Sequence, residues 1–350
     1  MEYFAGMDVS LELTSVCIVD NGGKIVRETK VRSEPEALTA LFADLGLPLA
    51  RIGLEAGPLS QWLHAGLADA GHEVVLLETR HVKAALSAMT VKTDRKDARG
   101  IAQLLRMGWF RPVHRKSLPA QEVRTLLTAR KLLVVKLLDI ELAIRGLLRG
   151  YGFKVGPTTK ATFTNRVAEL ITGQATLEAV IGPLLRCREV LRTELAGLHR
   201  KMLAIVRANQ VCRRLTTVPG VGPVTALTFV SAIDDPGRFP SSRSVGAHFG
   251  LTPRRYQSGE TDIIGSITKA GDAMVRSALY EAAFSLLVKV KPMSALRSWA
   301  MSVARRRGLK RAVVALARKL ASVLHRMWVD GTDFRWSKED NGIQPTTADA

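Results

Sequence analysis

Apolar residues alternate with polar ones over the first hundred positions, then shift to a three-to-four spacing. Tyr3 to Val9 is a short apolar run holding one acid. Runs at 15–20 and 24–31 follow, joined by Asn21-Gly22-Gly23, a turn sequence that readily supplies positive φ, so the chain opens with antiparallel strands. Ser33 and Glu36 have capping-box spacing before Ala37, Leu38, Leu41, Phe42 and Leu45 at helical period. The pattern then predicts a strand over 51–56, a helix over 59–70, a strand over 73–77 and helices over 81–88 and 94–107. Three strands followed by helix–strand–helix–strand–helix imply an α/β domain with a mixed sheet.

From Leu118 to Arg149 the chain reads as one helix, with Pro119 suited to its first turn and Val123, Leu126, Leu127, Leu133, Leu137, Ile140, Ile144 and Leu148 at three-to-four spacing. A glycine-broken connector, Gly150 to Pro157, precedes helical patterns over 165–171 and 177–206. This reads either as a protruding antiparallel hairpin or as the core of a helical bundle; helices near 30 residues favour the hairpin. The chain from 211 is helical again. The expected organisation is a mixed-sheet domain of ribonuclease H-like element order over 1–115, a helical, coiled-coil-like hairpin over 116–210, an all-α domain over 211–335 and a disordered tail over 336–350. The fold class is α/β plus all-α.

Charge narrows the function. Of 350 residues, 51 are Lys or Arg against 32 Asp or Glu, a net charge of +19 that points to a polyanion, nucleic acid first. Aromatic residues make up only 5%, so few stacking platforms for single strands are expected. Cys17, Cys187 and Cys212 are odd in number and far apart, which disfavours a disulfide framework or a cysteine zinc site and suits a reducing cytosol. The start lacks a signal-peptide pattern, and no apolar run approaches the ~18 residues of a membrane span, so no membrane partner is expected.

Four acids invite a metal. Asp8 in FAGMDVS and Glu55 in RIGLEAG each stand alone near the carboxyl end of an apolar strand, where α/β sheets place ligands. Asp94 and Asp97, in VKTDRKDARG, project from one face of a starting helix. Singly, such acids are ordinary dipole partners or isolated strand-end groups. Together they form a constellation that Mg2+ (or Mn2+) would relieve of mutual repulsion, suited to in-line phosphodiester chemistry. Lys92, Arg95 and Lys96 surround the pair as candidate phosphate contacts.

Pro219-Gly220-Val221-Gly222, between two helical patterns, looks like a helix-hairpin-helix, whose glycine turn offers N–H groups to a DNA phosphate; a tight turn between packed helices is the other reading. Residues 244–283 are dense in Gly, Ser, Thr and charge, as in an ordered loop between helices. Ser258 lies there before Gly259, ordinarily a turn residue, among the candidate nucleic-acid contacts Arg254, Arg255 and Lys269. Between Ala282 and Val329 stand eleven Lys or Arg and no acid. Arg305, Arg306, Arg307, Lys310 and Arg311 cluster before a helix whose apolar stripe is Val313, Leu316, Leu320, Val323 and Met327. A solvated face usually mixes signs, so this one reads as a nucleic-acid surface.

The motifs GMDVS, GLEAG and KTDRKDA, then VPGVGP and GLTPRRYQSG…GSITKAGD…VRSAL, resemble in order and spacing a DEDD transposase of the insertion-sequence family that includes the Piv-type DNA invertases. The resemblance covers nearly the whole chain. It implies a RuvC-like metal domain with Asp8, Glu55, Asp94 and Asp97 as its acids, and a carboxy-terminal domain whose nucleophilic serine falls on Ser258. It further implies element-end and target DNA and a structured bridge RNA as partners, covalent serine–DNA chemistry, and a homo-oligomer (dimer or tetramer) held by the helical hairpin. The expected location is the prokaryotic cytoplasm, at the nucleoid. Ser266, eight residues on, competes for the nucleophile's role. A RuvC-like nuclease using metal and water alone, or a non-catalytic scaffold, are the rival readings.

Overall fold

The structure, a computed structural model, describes residues 2–89 and 91–336. The chain forms two compact units, Met1–Lys116 and Ser117–Ala350.

In the first unit β1 (Tyr3–Val9), β2 (Leu13–Asp20) and β3 (Ile25–Arg32) precede α1 (Pro35–Leu45), β4 (Leu49–Glu55), α2 (Ser60–Asp69), β5 (Val74–Leu77), α3 (Thr79–Ala85) and α4 (Asp94–Arg106). The five-stranded sheet has the order β3-β2-β1-β4-β5. β1, β2 and β3 pair antiparallel, whereas β1, β4 and β5 run parallel. This mixed sheet is consistent with a RuvC/ribonuclease H-like domain.

Side-chain alternation along the strands splits the core in two. Ala5, Met7, Val16, Ile18, Ile52, Leu54 and Leu76 pack against Leu38 and Phe42 of α1 and Leu63 and Leu67 of α2. Phe4, Cys17, Val19 and Leu77 face the other way, toward Ala98, Ile101, Ala102, Leu104 and Leu105 of α4. β3 is an edge strand whose charged residues discourage pairing with another chain.

Ser33 does not cap α1. The N-cap is Glu34, with no side-chain bond, and the buried Ser33 hydroxyl instead donates to Ser10 O (2.8 Å) and meets Thr14 Oγ1 (2.8 Å), tying two strand ends together. The helix expected over 81–88 starts earlier, at Thr79, and ends at Ala85.

The second unit opens with α5 (Leu118–Arg149), N-capped by Ser117. It continues through α6 (Phe163–Ile171), α7 (Ala175–Ala208), α8 (Gln210–Leu215), α9 (Pro223–Ile233) and α10 (Ser244–His248). β6 (Pro253–Ser258), β7 (Thr261–Ile267), α11 (Ala273–Phe284), α12 (Ala295–Arg307) and α13 (Leu309–Asp330) complete it. α5 and α7 are antiparallel: Leu127 shares a core with Met202 and Val206, while Ile144 and Leu148 meet Ile181 and Leu185. α6 fills the far end with Phe163, Val167 and Ile171. There the fully buried Arg188 bonds Glu141 Oε1 (2.8 Å), Thr164 Oγ1 (2.9 Å) and Lys160 O (2.9 Å), and lies over the Phe163 ring. A buried charge is tolerable because its donors are satisfied.

Residues 253–267, expected as loop in an all-helical region, form a two-stranded antiparallel hairpin. Every residue of β6 is exposed, so no buried face imposed the alternation that would have revealed a strand. The tail expected over 336–350 lies outside the described residues apart from Trp336. Among the described residues no helix is long and apolar enough to cross a membrane.

Candidate active site

Two glycines bring a helix onto the sheet. Gly6 of β1 and Gly53 of β4 are register partners. A Cβ on Gly6 would stand 2.3 Å from Ala102 N and 2.3 Å from Ala98 O, and one on Gly53 would stand 2.6 Å from a Leu105 methyl. α4 therefore approaches the sheet backbone closely at these two positions. Two residues on from each glycine, on the same face, stand Asp8 and Glu55. The register sets out one row across the sheet, Lys30–Ser15–Asp8, with Glu55 one residue past the last β1–β4 pair and opposite Leu77.

α4 begins above this row. Thr93 caps it, accepting from Lys96 N at 3.3 Å, which places Asp94 and Asp97 in its first turn. Burial, then the charges of Asp97 and Asp94, push the Asp8 carboxyl above its ordinary range. Burial, then Asp8, do the same to Glu55, opposed by a hydrogen bond from Thr79. Asp8 thus feels both helix acids, and Glu55 feels Asp8 and Asp97. Lysines supply partial neutralisation: Lys30 Nζ lies 3.3 Å from Asp94 Oδ2, and Lys92 Nζ 3.7 Å from Asp97 Oδ2. Among the described residues no three His, Cys, Asp or Glu side chains already stand as a ligand cage. The donor set itself, oxygen-only and self-repelling, fits a hard divalent cation.

Arg95, though 65% exposed in its side chain, is engaged within the unit. With Arg99 it grips Glu28 of β3: Arg95 Nε lies 2.6 Å from Glu28 Oε2, Arg99 bonds the same oxygen at 2.8 Å, and each arginine makes a further bond to the carboxylate. These bonds hold the Glu28 carboxyl down at about 2. Sequence reasoning passed over Glu28, Lys30 and the two glycines. The one available signal was the repeated spacing of glycine two residues before acid, Gly6–Asp8 and Gly53–Glu55.

Ser258 belongs to the other unit. It ends β6, exposed, and pairs with Thr261 across a turn in which Gly259 has φ +56°. Ser266 is also exposed but sits on β7 near the hairpin base, where Pro253 pairs with Ile267. The base is anchored: Arg276 donates to Ala270 O (2.5 Å), Gly271 O (3.0 Å) and Phe249 O (3.3 Å), and Asp272 caps α11 while pairing with Arg124 at 2.6 Å.

Comparison with known proteins bears on this arrangement. A transposase family model, DEDD_Tnp_IS110, matches residues 5–153, and a second, described as the transposase IS116/IS110/IS902 family, matches residues 212–298. The chain is 31% identical over 325 residues to the transposase for insertion sequence element IS1111A of Coxiella burnetii, covering 91% of this chain and 87% of that one. The chain belongs to the IS110 transposase family.

Other relatives of this transposase include a probable family 20 transposase of Pseudomonas aeruginosa, 29% identical over 83% of this chain and 87% of that one. The pilin gene-inverting protein of Moraxella bovis is 30% identical over 33% of this chain and 36% of that one. Membership makes the protein a DNA-cleaving and recombining enzyme, with DNA as its partner.

The transposase's remaining candidate contacts divide by environment. Gly220 has φ +85°, and a Cβ there would strike Ala282 O at 2.6 Å, so its glycine is required by packing on α11. Gly222 caps α9 and borders open space. Arg255 is held by Asp262 through two bonds of 2.7 and 2.8 Å. Arg254 and Lys269 are exposed, the latter at φ +55°. Arg305, Arg306 and Arg307 form the exposed last turn of α12. The cluster does not precede one helix but straddles a break at Gly308, with Lys310 and Arg311 exposed in the first turn of α13.

Proposed function

We propose that this transposase cleaves and rejoins the strands of its insertion sequence through a covalent serine–DNA intermediate at a divalent-metal site. The observation that supports the metal-site reading is placement: Asp8 and Glu55 stand at the ends of neighbouring strands, and the helix that lies on those strands carries Asp94 and Asp97 in its first turn. Asp8, Glu55, Asp94 and Asp97 would hold Mg2+ or Mn2+. A bound divalent ion supplies Lewis-acid stabilisation of charge on the transferring phosphoryl group.

Ser258 is the nucleophile. Its Oγ forms a bond to phosphorus, its proton passes to a carboxylate or water, and the phosphorus–oxygen bond to the adjoining sugar breaks as that oxygen takes up a proton. Attack by a sugar hydroxyl of another strand reverses the step and rejoins DNA. An exposed tip on an anchored base suits a group that must meet a bulky phosphodiester.

Gly222 and the start of α9, read as the second half of a helix-hairpin-helix, would hold the DNA backbone without reading sequence. The basic surface of α12 and α13 would contact DNA and a structured guide RNA. Leu132, Leu138 and Leu142 of α5 and Val190 of α7 leave an exposed apolar face on the long hairpin, which supports self-association. The acids and Ser258 belong to different compact units, so a nuclease using only the acids and water is the second reading.

The test is to combine full-length protein, element-end DNA, guide RNA and Mg2+ and look for a protein–DNA adduct on a denaturing gel. Ser258→Ala should abolish adduct and product, and Ser266→Ala should preserve both. Productive cleavage with no adduct in wild type would favour the water-using nuclease.

A further inference from the structure

Besides the Lys30–Asp94 ion pair, a carboxylate of β3 ties the start of α4 to the sheet. Glu28 lies mid-way along β3, with its side chain 12% exposed. Its register partner is Cys17, itself the partner of Gly6, so it stands two strands across from Gly6, in the same-face row next to that of Asp8. Both its oxygens are taken by Arg95 and Arg99. With its acceptors so occupied, Glu28 is poorly placed to act as a fifth metal ligand.

Helix geometry makes this clamp relevant to the acids. At 3.6 residues per turn, the buried stripe of α4 runs through Ala98, Ile101, Ala102 and Leu105. Arg95 and Arg99 fall on one flank of that stripe, whereas Asp94 continues it toward the amino end and Asp97 lies on its other side, between Ile101 and the buried Leu104. A roll of the helix about its axis therefore cannot release the arginines without swinging the acids. The far end of α4 is held separately, by Gln103 donating to Gly23 O at 2.8 Å and by the buried leucines Leu104 and Leu105. Mid-helix, Ala98 and Ala102 rest on the bare backbone of Gly6 and Gly100 packs against Leu86, so the arginine pair adds to the packing that sets the azimuth at the amino end.

We infer that Glu28 is a positioning residue for the metal site, fixing through Arg95 and Arg99 the azimuth at which Asp94 and Asp97 face Asp8 and Glu55. This rests on the four acids being the metal ligands. Outer partners that orient ligands are commonly worth about 10- to 100-fold in metal affinity.

The experiment is Mn2+ binding to the full-length protein, followed by the loss of the free-ion electron paramagnetic resonance signal, well below the unfolding temperature. Glu28→Gln should weaken binding by roughly 10-fold. Arg95→Met decides between geometry and simple charge. Removing a cation beside the site should tighten Mn2+ binding if only charge matters, and weaken it, by about 3-fold, if the clamp positions the helix. Arg95 is 65% exposed in its side chain, so this variant remains readable even if Glu28→Gln does not fold. Gln103→Ala, which removes one tie at the other end of α4, should leave affinity within about twofold. Unchanged affinity in Glu28→Gln, tighter binding in Arg95→Met, or equal weakening in Gln103→Ala would each overturn the inference. Asp97→Asn binding Mn2+ as wild type does would instead remove the metal-site reading on which it rests.

Discussion

Gly6 lies directly beneath Ala102, so close that an added Cβ would stand 2.3 Å from the Ala102 amide nitrogen. That contact lets the helix bearing Asp94 and Asp97 reach the strand bearing Asp8. Gly6→Ala should therefore lift α4 or bend β1, costing roughly 1–3 kcal/mol as an overpacked core does. Chemical denaturation would show the loss. Strand cleavage should fall further than stability does, because the acids separate. Unchanged stability and cleavage would mean the backbone yields without moving the acids.

Burial and neighbouring acids raise the Asp8 carboxyl above its unfolded value, so its ionised form opposes folding. A raised acid binds more protons folded than unfolded. Metal-free stability should fall as pH rises from the ordinary carboxylate range through the raised one. Asp8→Asn removes this dependence. Its thermal midpoint should exceed that of metal-free wild type at neutral pH, with the gap closing toward about pH 4. Asp97→Asn should act in the same direction while abolishing cleavage and weakening Mg2+ binding.

Glu28 works with the opposite sign. Its pKa is lowered from 4.5 to about 2 by Arg99 and Arg95, so its ionised form favours the fold. The advantage of wild type over Glu28→Gln should be complete above the unfolded pKa and fade as pH drops toward about 2. Acid titrations of both proteins, followed by circular dichroism, would show a gap that shrinks through that window.

Arg188, fully buried, depends on Glu141 for its counter-charge. Glu141→Ala should cost about 3–5 kcal/mol, since it strands a buried cation. Amide exchange should rise first at the far end of the α5–α7 hairpin. Replacing Arg188 together with Glu141 by Met and Leu should recover most of the loss.

The basic turn across Gly308 should act through charge alone. Changing Arg305, Arg306 and Arg307 to Ala should weaken binding to many duplex sequences alike. The log–log salt slope should fall by about 3 if each meets one phosphate, at ~0.9 per contact. Equal slopes in filter-binding titrations would leave the three arginines merely solvated.

Strand and helix periods, the turn at Asn21-Gly22-Gly23 and the lone acids in apolar strands are local features. Burial of one strand face or one helix stripe imposes them on the sequence itself, so the mixed-sheet order and the long helix from Leu118 to Arg149 were legible there. The acids Asp8, Glu55, Asp94 and Asp97 stood out for a related reason: a charge in an apolar strand or paired on a helix turn breaks the pattern. The β6–β7 hairpin left no such trace, because with no face buried there is no alternation to read. Arg188 looked like any cation on a helix; only the packing of α6 over it makes it buried. Glu28 looked like an ordinary edge-strand charge, and became a clamp when register and helix azimuth set two arginines against it. Pairing across sixty or more residues depends on where whole elements dock. Packing decides that docking, through close approaches such as the one at Gly6 that no local pattern encodes.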